Sequence, residues 1–387
     1  MANHGVYVTQ NETSLSTPNE AQSGIPFVVG IAPLGSDATA TAGTPVLCSS
    51  FNEFKAACGY NDTWSTYTLC EFAYAYFTLG GMQPAIFLPL KSGATAADVA
   101  TAFESVELCL TMFGIVPDLL VAPGWSNTAS VAAAMTAKAA SINGMFKAVA
   151  VVDIAAADYS AAITAKTSGS FDDNEIVCWP KATLSNKNGD NVFWLSSLVA
   201  TRLAQTDYDN GGVPYESPSN KSITCDGLCD ANGKEILLSK AEADLVNAQG
   251  IVTALNFMGS FVVWGNYTGG YPDSTDVKDY FIPIKRMFSW VNNTLINTFW
   301  SNLDAPMTTR LIESITDSCN IWINGLVGSG YVLGGRVEVI EDENPATNLM
   351  AGIVKLHVYM TPPSPAQEID FVLEYDADYV TSVFSAS

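Results

Sequence analysis

The residue types able to carry chemistry are few in this chain and poorly spaced. Histidine occurs twice, as His4 near the start and as His357 inside the apolar run IVKLHVYM. No Ser or Cys motif stands beside either to form a nucleophile and its base, and a histidine within an apolar strand reads as structural. Phosphate-binding loops fail on spacing. GLCDANGKE holds one residue too many between Gly227 and Gly233, and Glu235 stands where a Mg²⁺-binding hydroxyl is needed. GSGYVLGG runs into a strand pattern instead of a helix, so it is no dinucleotide fingerprint. DYDNGG, residues 207–212, starts like a calcium loop but puts Gly211 at an oxygen-ligand position and lacks the closing Glu. Cys225 and Cys229 lie close together without a second pair, which does not make a zinc site. With 39 acidic residues, paired carboxylates carry no information. The expectation is a protein with no catalytic residues, no metal and no cofactor.

Composition narrows the classes further. A chain of 387 residues, 48% of them apolar, is long enough for two or three domains around a sizeable core. Its 39 acidic against 17 basic residues give a net charge of −22, which argues against nucleic acid and anionic lipid as partners. No apolar run approaches the roughly 20 residues that span a bilayer, and MANHGVYVTQNETS lacks the basic and apolar stretches of a signal peptide, so no membrane insertion and synthesis in the cytosol are expected. The eight cysteines are scattered, mostly in apolar segments, and read as buried, reduced thiols.

The elements that would position any site follow from periodicity. Residues 24–207 alternate apolar runs (PAIFLPL, VPDLLVAPG, FKAVAVVDIA, EIVCW) with helical patterns, which predicts an α/β domain around a mostly parallel sheet covered on both faces. Within it Ser50 and Glu53 suggest a capping box, and Leu69, Phe72, Ala73, Tyr76 and Phe77 form one helical face. Residues 208–361 segregate their elements, as expected of an α+β domain. A helix capped by Ser239 and Glu242 comes first, then a hairpin turning at Met258 and Gly259, helices near 276–300 and 307–326, and two strands.

The ends stand apart. Val6, Tyr7 and Val8 form a short β-prone segment within an N-terminal arm, 1–23, followed by a polar Ser/Thr/Asn/Pro stretch. In the C-terminal arm, 362–387, Ile369, Phe371, Leu373 and Tyr375 alternate with polar residues or valine behind Pro362, Pro363 and Pro365. Each reads as an amphipathic strand, paired either within its own chain or with a neighbour by β-augmentation.

Three stretches together resemble contractile tail sheath proteins. VNAQGIVTALNFMGSFVVWGNYT matches an Asn-x-x-Gly-Ile turn running into a Trp-Gly-x-x-Thr ending, through Asn247, Gly250, Ile251, Trp264, Gly265 and Thr268. PPSPAQEIDFVLEYD resembles the family's closing strand through Pro365, Ala366, Ile369 and Phe371. FWLSSLVATRLAQTDYDNGGVPYESPSN resembles its Thr-Asp and Pro-x-Asn passage through Thr206, Asp207, Pro218 and Asn220. The opening, HGVYVTQ followed by GIPFVVGIA, also fits. One departure is that Asn266 and Tyr267 stand where the family often carries an Arg before its Thr.

The resemblance implies an outer α/β domain, an inner α+β domain and two arms exchanged between subunits. Hexameric rings would stack into a helical sleeve around a rigid tube, and contraction would drive that tube through a target cell envelope. Implied partners are further copies of the chain, the tube protein, and baseplate and tail terminator proteins, in a virion tail or a released phage-tail-like particle, bacteriocin or injection system. Lys285, Arg286 and Arg310, on the two long helices, are the candidate tube-facing cations. The competing readings are a non-contractile shell or surface-array protein and a nucleotide-utilising α/β enzyme.

Overall fold

The computed structural model describes residues 18–185, 187–377 and 379–380. Val6, Tyr7 and Val8 lie outside them. In chain order the strands are β1 (Pro26–Ile31), β2 (Val46–Cys48), β3 (Ala85–Leu90), β4 (Leu119–Val121), β5 (Val149–Asp153), β6 (Glu175–Cys178), β7 (Lys181–Thr183), β8 (Val192–Phe193), β9 (Gly227–Cys229), β10 (Ile251–Phe257), β11 (Ser260–Trp264), β12 (Gly334–Glu338) and β13 (His357–Thr361). Eight of them form one sheet in the order β11-β10-β6-β5-β4-β1-β3-β2. Only the two edge strands run antiparallel to their neighbours. The six between them are parallel, and the chain winds first to one side of β1 and then to the other.

Both faces of this sheet are covered, as its unbroken apolar strands require. Along β5, Val149 and Val151 point into one core while Ala150 and Val152 point into the other. Helices Phe51–Cys58, Thr68–Ala73 and Leu195–Asp209 supply the first core, and Ala96–Ala102, Ala129–Ala140 and Tyr159–Ser168 the second. The Thr68–Ala73 helix continues as a π-helical turn over Tyr74–Leu79, which the sequence pattern did not signal.

The hairpin at Met258 and Gly259 forms as expected, with φ of 58° and 88° in the turn. Its place differs from the expectation. β10 pairs in parallel with β6 through Ile251↔Val177 and Val252↔Cys178, so residues 251–264 extend the large sheet instead of joining the second core. That core lies between the helices Ile282–Phe299 and Thr309–Gly328 and the two-stranded sheet β12–β13, around Met287, Trp290, Trp322 and Ile323. The segment just before β1 is strapped across it: Trp290 Nε1 donates to Ala21 O and Trp322 Nε1 to Glu20 Oε1.

Candidate assembly surfaces

The small sheet is incomplete. β12 and β13 pair antiparallel, with Val337 opposite Val358. Val337 is buried, while Arg336 on the other face lies over the Tyr359 ring at 4.1 Å. The Asn320 side chain blocks the outer edge of β12, accepting from Val337 N at 2.8 Å and donating to Val337 O at 2.9 Å. Among the described residues β13 pairs with β12 alone, so its other edge offers unpaired backbone groups. Beneath the sheet opens an apolar groove of about 450 Å³ lined by Leu295, Phe299, Leu311, Ile315, Leu356 and Val358. His357 meets Glu343 at 2.6 Å and no nucleophile, so it serves local architecture.

The C-terminal segment carries what such an edge lacks. Residues 362–376 form no helix or strand with the rest of the chain. Ile369, Phe371, Leu373 and Tyr375 are 70%, 85%, 94% and 84% exposed, so four large apolar side chains face solvent together. The root of the segment is nevertheless held. Gln367 Nε2 donates to Asn266 Oδ1, and Tyr267 Oη donates to Gln367 Oε1, each at 2.7 Å.

The three cations sit in different environments. Arg286 is only 3% exposed, so it is no surface cation. Its guanidinium donates to Asp207 Oδ1 at 2.8 Å and to Asp118 Oδ2 at 2.6 Å, while Asp118 Oδ1 also accepts from Ile25 N. Burial pushes the Asp207 carboxyl up and the guanidinium pulls it down; two hydrogen bonds from one guanidinium favour the ionised pair. Arg286 thus ties the Ile282–Phe299 helix to the large-sheet unit. A signal for this was present: Ile282 and Trp290, one turn to either side, put Arg286 on the apolar face of its helix. Lys285 is mostly covered and bound to Asp173 and Asp279. Arg310 is exposed.

The residues carrying the family resemblance also have local duties. Gly250 adopts a φ of 71°, and a Cβ there would come within 2.6 Å of Tyr271 O, so only glycine fits that turn. With its amide turned to donate, Asn247 reaches Trp264 O and Ile251 O at 2.8 Å each. Thr268 donates to Asp279 O at 2.7 Å.

Parallel sheets of this winding bind ligands where the strand order reverses, here between the ends of β1 and β4. That crevice is filled. Thr68 Oγ1 accepts from Ile31 N at the end of β1, and Trp194 lies so close to Gly124, just past β4, that a Cβ there would meet Trp194 Nε1 at 3.1 Å. Trp194 is fixed in turn by the buried Glu71, which accepts from Trp194 N and from Ser197 Oγ; burial pushes that carboxyl well above the usual range. Asp153, raised by burial to about 6, accepts from Ser196 N and Ser126 Oγ and so anchors the start of the Leu195–Asp209 helix. A larger cleft of about 680 Å³ opens between the helices Ala129–Ala140 and Tyr159–Ser168. It holds Glu175, raised by burial to about 7 and bonded to Thr136.

No protein-family model matches the chain. A prophage major tail sheath protein of Pseudomonas aeruginosa strain UCBPP-PA14 is 27% identical over 99% of both chains. The tail sheath protein of Burkholderia phage BcepMu is 25% identical over 74% of this chain and 61% of its own length. Among solved structures, the helical sheath of the anti-feeding prophage in its contracted state superposes with a TM-score of 0.73 at 18% identity, covering 97% of this chain and all of that one. These relatives are structural sheath proteins and not enzymes. Over 99% of its length the chain is thus a homologue of tail sheath proteins, and its fold is that of a contractile sheath.

Proposed function

We propose that the chain is the force-generating subunit of a contractile tail sheath, polymerising as hexameric rings in a helical sleeve around a rigid tube. The observation that carries the assembly mode is that a sheet with a free edge occurs in the same chain as an exposed segment with strand-like alternation. β13 offers a free backbone edge above an apolar groove, and residues 369–375 offer four exposed apolar side chains at strand spacing. Donated to a neighbour, that strand would satisfy the β13 edge and cover the groove by β-augmentation. The N-terminal segment with Val6, Tyr7 and Val8 would act likewise.

In this reading the extended sheath is metastable and the contracted one lower in free energy, because contraction adds lateral contacts between subunits. The Pro-rich connector at 362–365 allows the bodies to swing while the paired strands stay fixed. Arg310 remains the exposed candidate for the tube, since Arg286 is consumed by the internal junction and Lys285 is covered. Tube, baseplate and terminator proteins are the partners of such a sheath, within a phage tail or a phage-tail-like particle.

The test is electron microscopy of the purified chain beside a version ending at Thr361. Hollow tubes or rings from the full chain, with a folded monomer from the truncated one, are expected. Identical soluble monomers would sink the reading, and flat sheets or closed shells would favour a non-contractile array.

A further inference from the structure

A strand that leaves β13 at Thr361 has an obvious competitor for any neighbour, namely β13 itself. Antiparallel strands joined by a short turn close readily within one chain, so the default fate of residues 369–375 is to fold back as a hairpin on the edge they have just left. In the structure they do not. Pro362, Pro363 and Pro365 lack the backbone donors a paired strand uses and fix the local φ. Gln367 is then bound far away in sequence, at the end of β11.

Both partners of Gln367 are packed against their surroundings. Asn266 is buried at 8% exposure. The Tyr267 ring is stacked on Tyr271, with centroids 3.8 Å apart and planes within 3°, and faces Phe281 at 5.4 Å. Here the Tyr267 hydroxyl donates and Asn266 Oδ1 accepts, which together match the oxygen and nitrogen of one side-chain amide.

We infer that Gln367 and the Asn266–Tyr267 pair form a latch that holds the root of the C-terminal strand away from its own sheet and keeps it available to a second copy of the chain. The inference rests on the reading of residues 369–375 as a donated strand. The latch carries no formal charge, so its hold is insensitive to ionic strength, unlike the contacts between acidic subunits.

Light scattering against protein concentration tests it, with four chains compared at low and at high salt: the parent, Gln367→Ala, Tyr267→Phe and the chain ending at Thr361. Thermal unfolding of each confirms the fold; Tyr267→Phe keeps the stacked ring and removes only the hydroxyl. The truncated chain is expected to lose assembly. The two point variants are expected to need about tenfold more protein to polymerise, the scale of one or two lost hydrogen bonds, with the same ratio at both salt concentrations. If the truncation abolishes assembly while both point variants match the parent, the latch is wrong and the donated strand stands. A truncated chain that polymerises like the parent would overturn both.

Discussion

The molecule contains two sheets with opposite characters. The large one is buried on both faces along its central strands, and beyond β11 the segment 219–223 covers one edge, with Asn220 N and Ile223 N donating to Val263 O and Phe261 O, while the other edge ends in the three-residue strand β2. The small one has two strands, one blocked edge and one free edge, and two-stranded sheets are marginal alone. On the reading proposed above, the large sheet stabilises the single chain and the small one is completed by a neighbour. Stability and assembly should therefore respond to different residues.

The sharpest way to break that contrast is at the arm. Placing charges there by Phe371→Asp with Leu373→Asp should abolish polymerisation while shifting the unfolding free energy of the monomer by less than about 0.5 kcal/mol, because both side chains are solvated in the free chain. Destabilisation of the monomer would mean the segment packs on its own body. Next is the junction between the units. Arg286→Met leaves Asp207 and Asp118 without their cation and should cost about 3–5 kcal/mol in denaturant unfolding. A near-neutral result would mean that the pair adds nothing over apolar packing.

Glu175 gives a smaller effect with a defined sign. Its folded pKa, raised to about 7, lies above that of the unfolded chain, so the unfolded chain releases its proton first as pH rises. The contribution of this group to stability is greatest below about pH 4.5 and declines until about pH 7. In Glu175→Gln the new amide can donate to Thr136 Oγ1, which already donates to Ala132 O. The variant should gain on the order of 2 kcal/mol over the parent at pH 8 and little at pH 4; a pH-independent difference would contradict the assignment. The smallest effect belongs to the hairpin. Met258 has a φ of 58°, a conformation that Asn tolerates better, so Met258→Asn should raise stability by about 0.5–1 kcal/mol in the same assay.

Local pattern was enough for much of this. The Ser239–Glu242 capping box, the Met258–Gly259 turn and the two long helices lie where short-range rules put them. The Ser50 cap forms too, although the Glu53 carboxylate accepts from Ser49 N instead of Ser50 N. Long-range pairing was not legible: nothing in IVTALNF says that it will lie beside EIVC, so local pattern alone groups the hairpin with the elements that follow it. Burial of charge was not legible either. Lys285 and Arg286 look alike in a sequence, yet one is covered by surface carboxylates and the other is sealed between the units. For the C-terminal segment, the alternation of Ile369, Phe371, Leu373 and Tyr375 predicts an amphipathic strand, while the contact at Gln367 depends on residues a hundred positions away.

The filled crevice beside Trp194 has a mechanical consequence. If the chain drives a tube as proposed, it must transmit force without yielding, and an open cleft yields more than a packed interior. With Thr68 and Trp194 wedged between the ends of β1 and β4, and Glu71 pinning the indole segment, that soft spot is replaced by close-packed side chains of low compressibility. On the proposed reading, this end of the sheet would stay rigid during contraction, and strain would be left to the Pro-rich connector at 362–365.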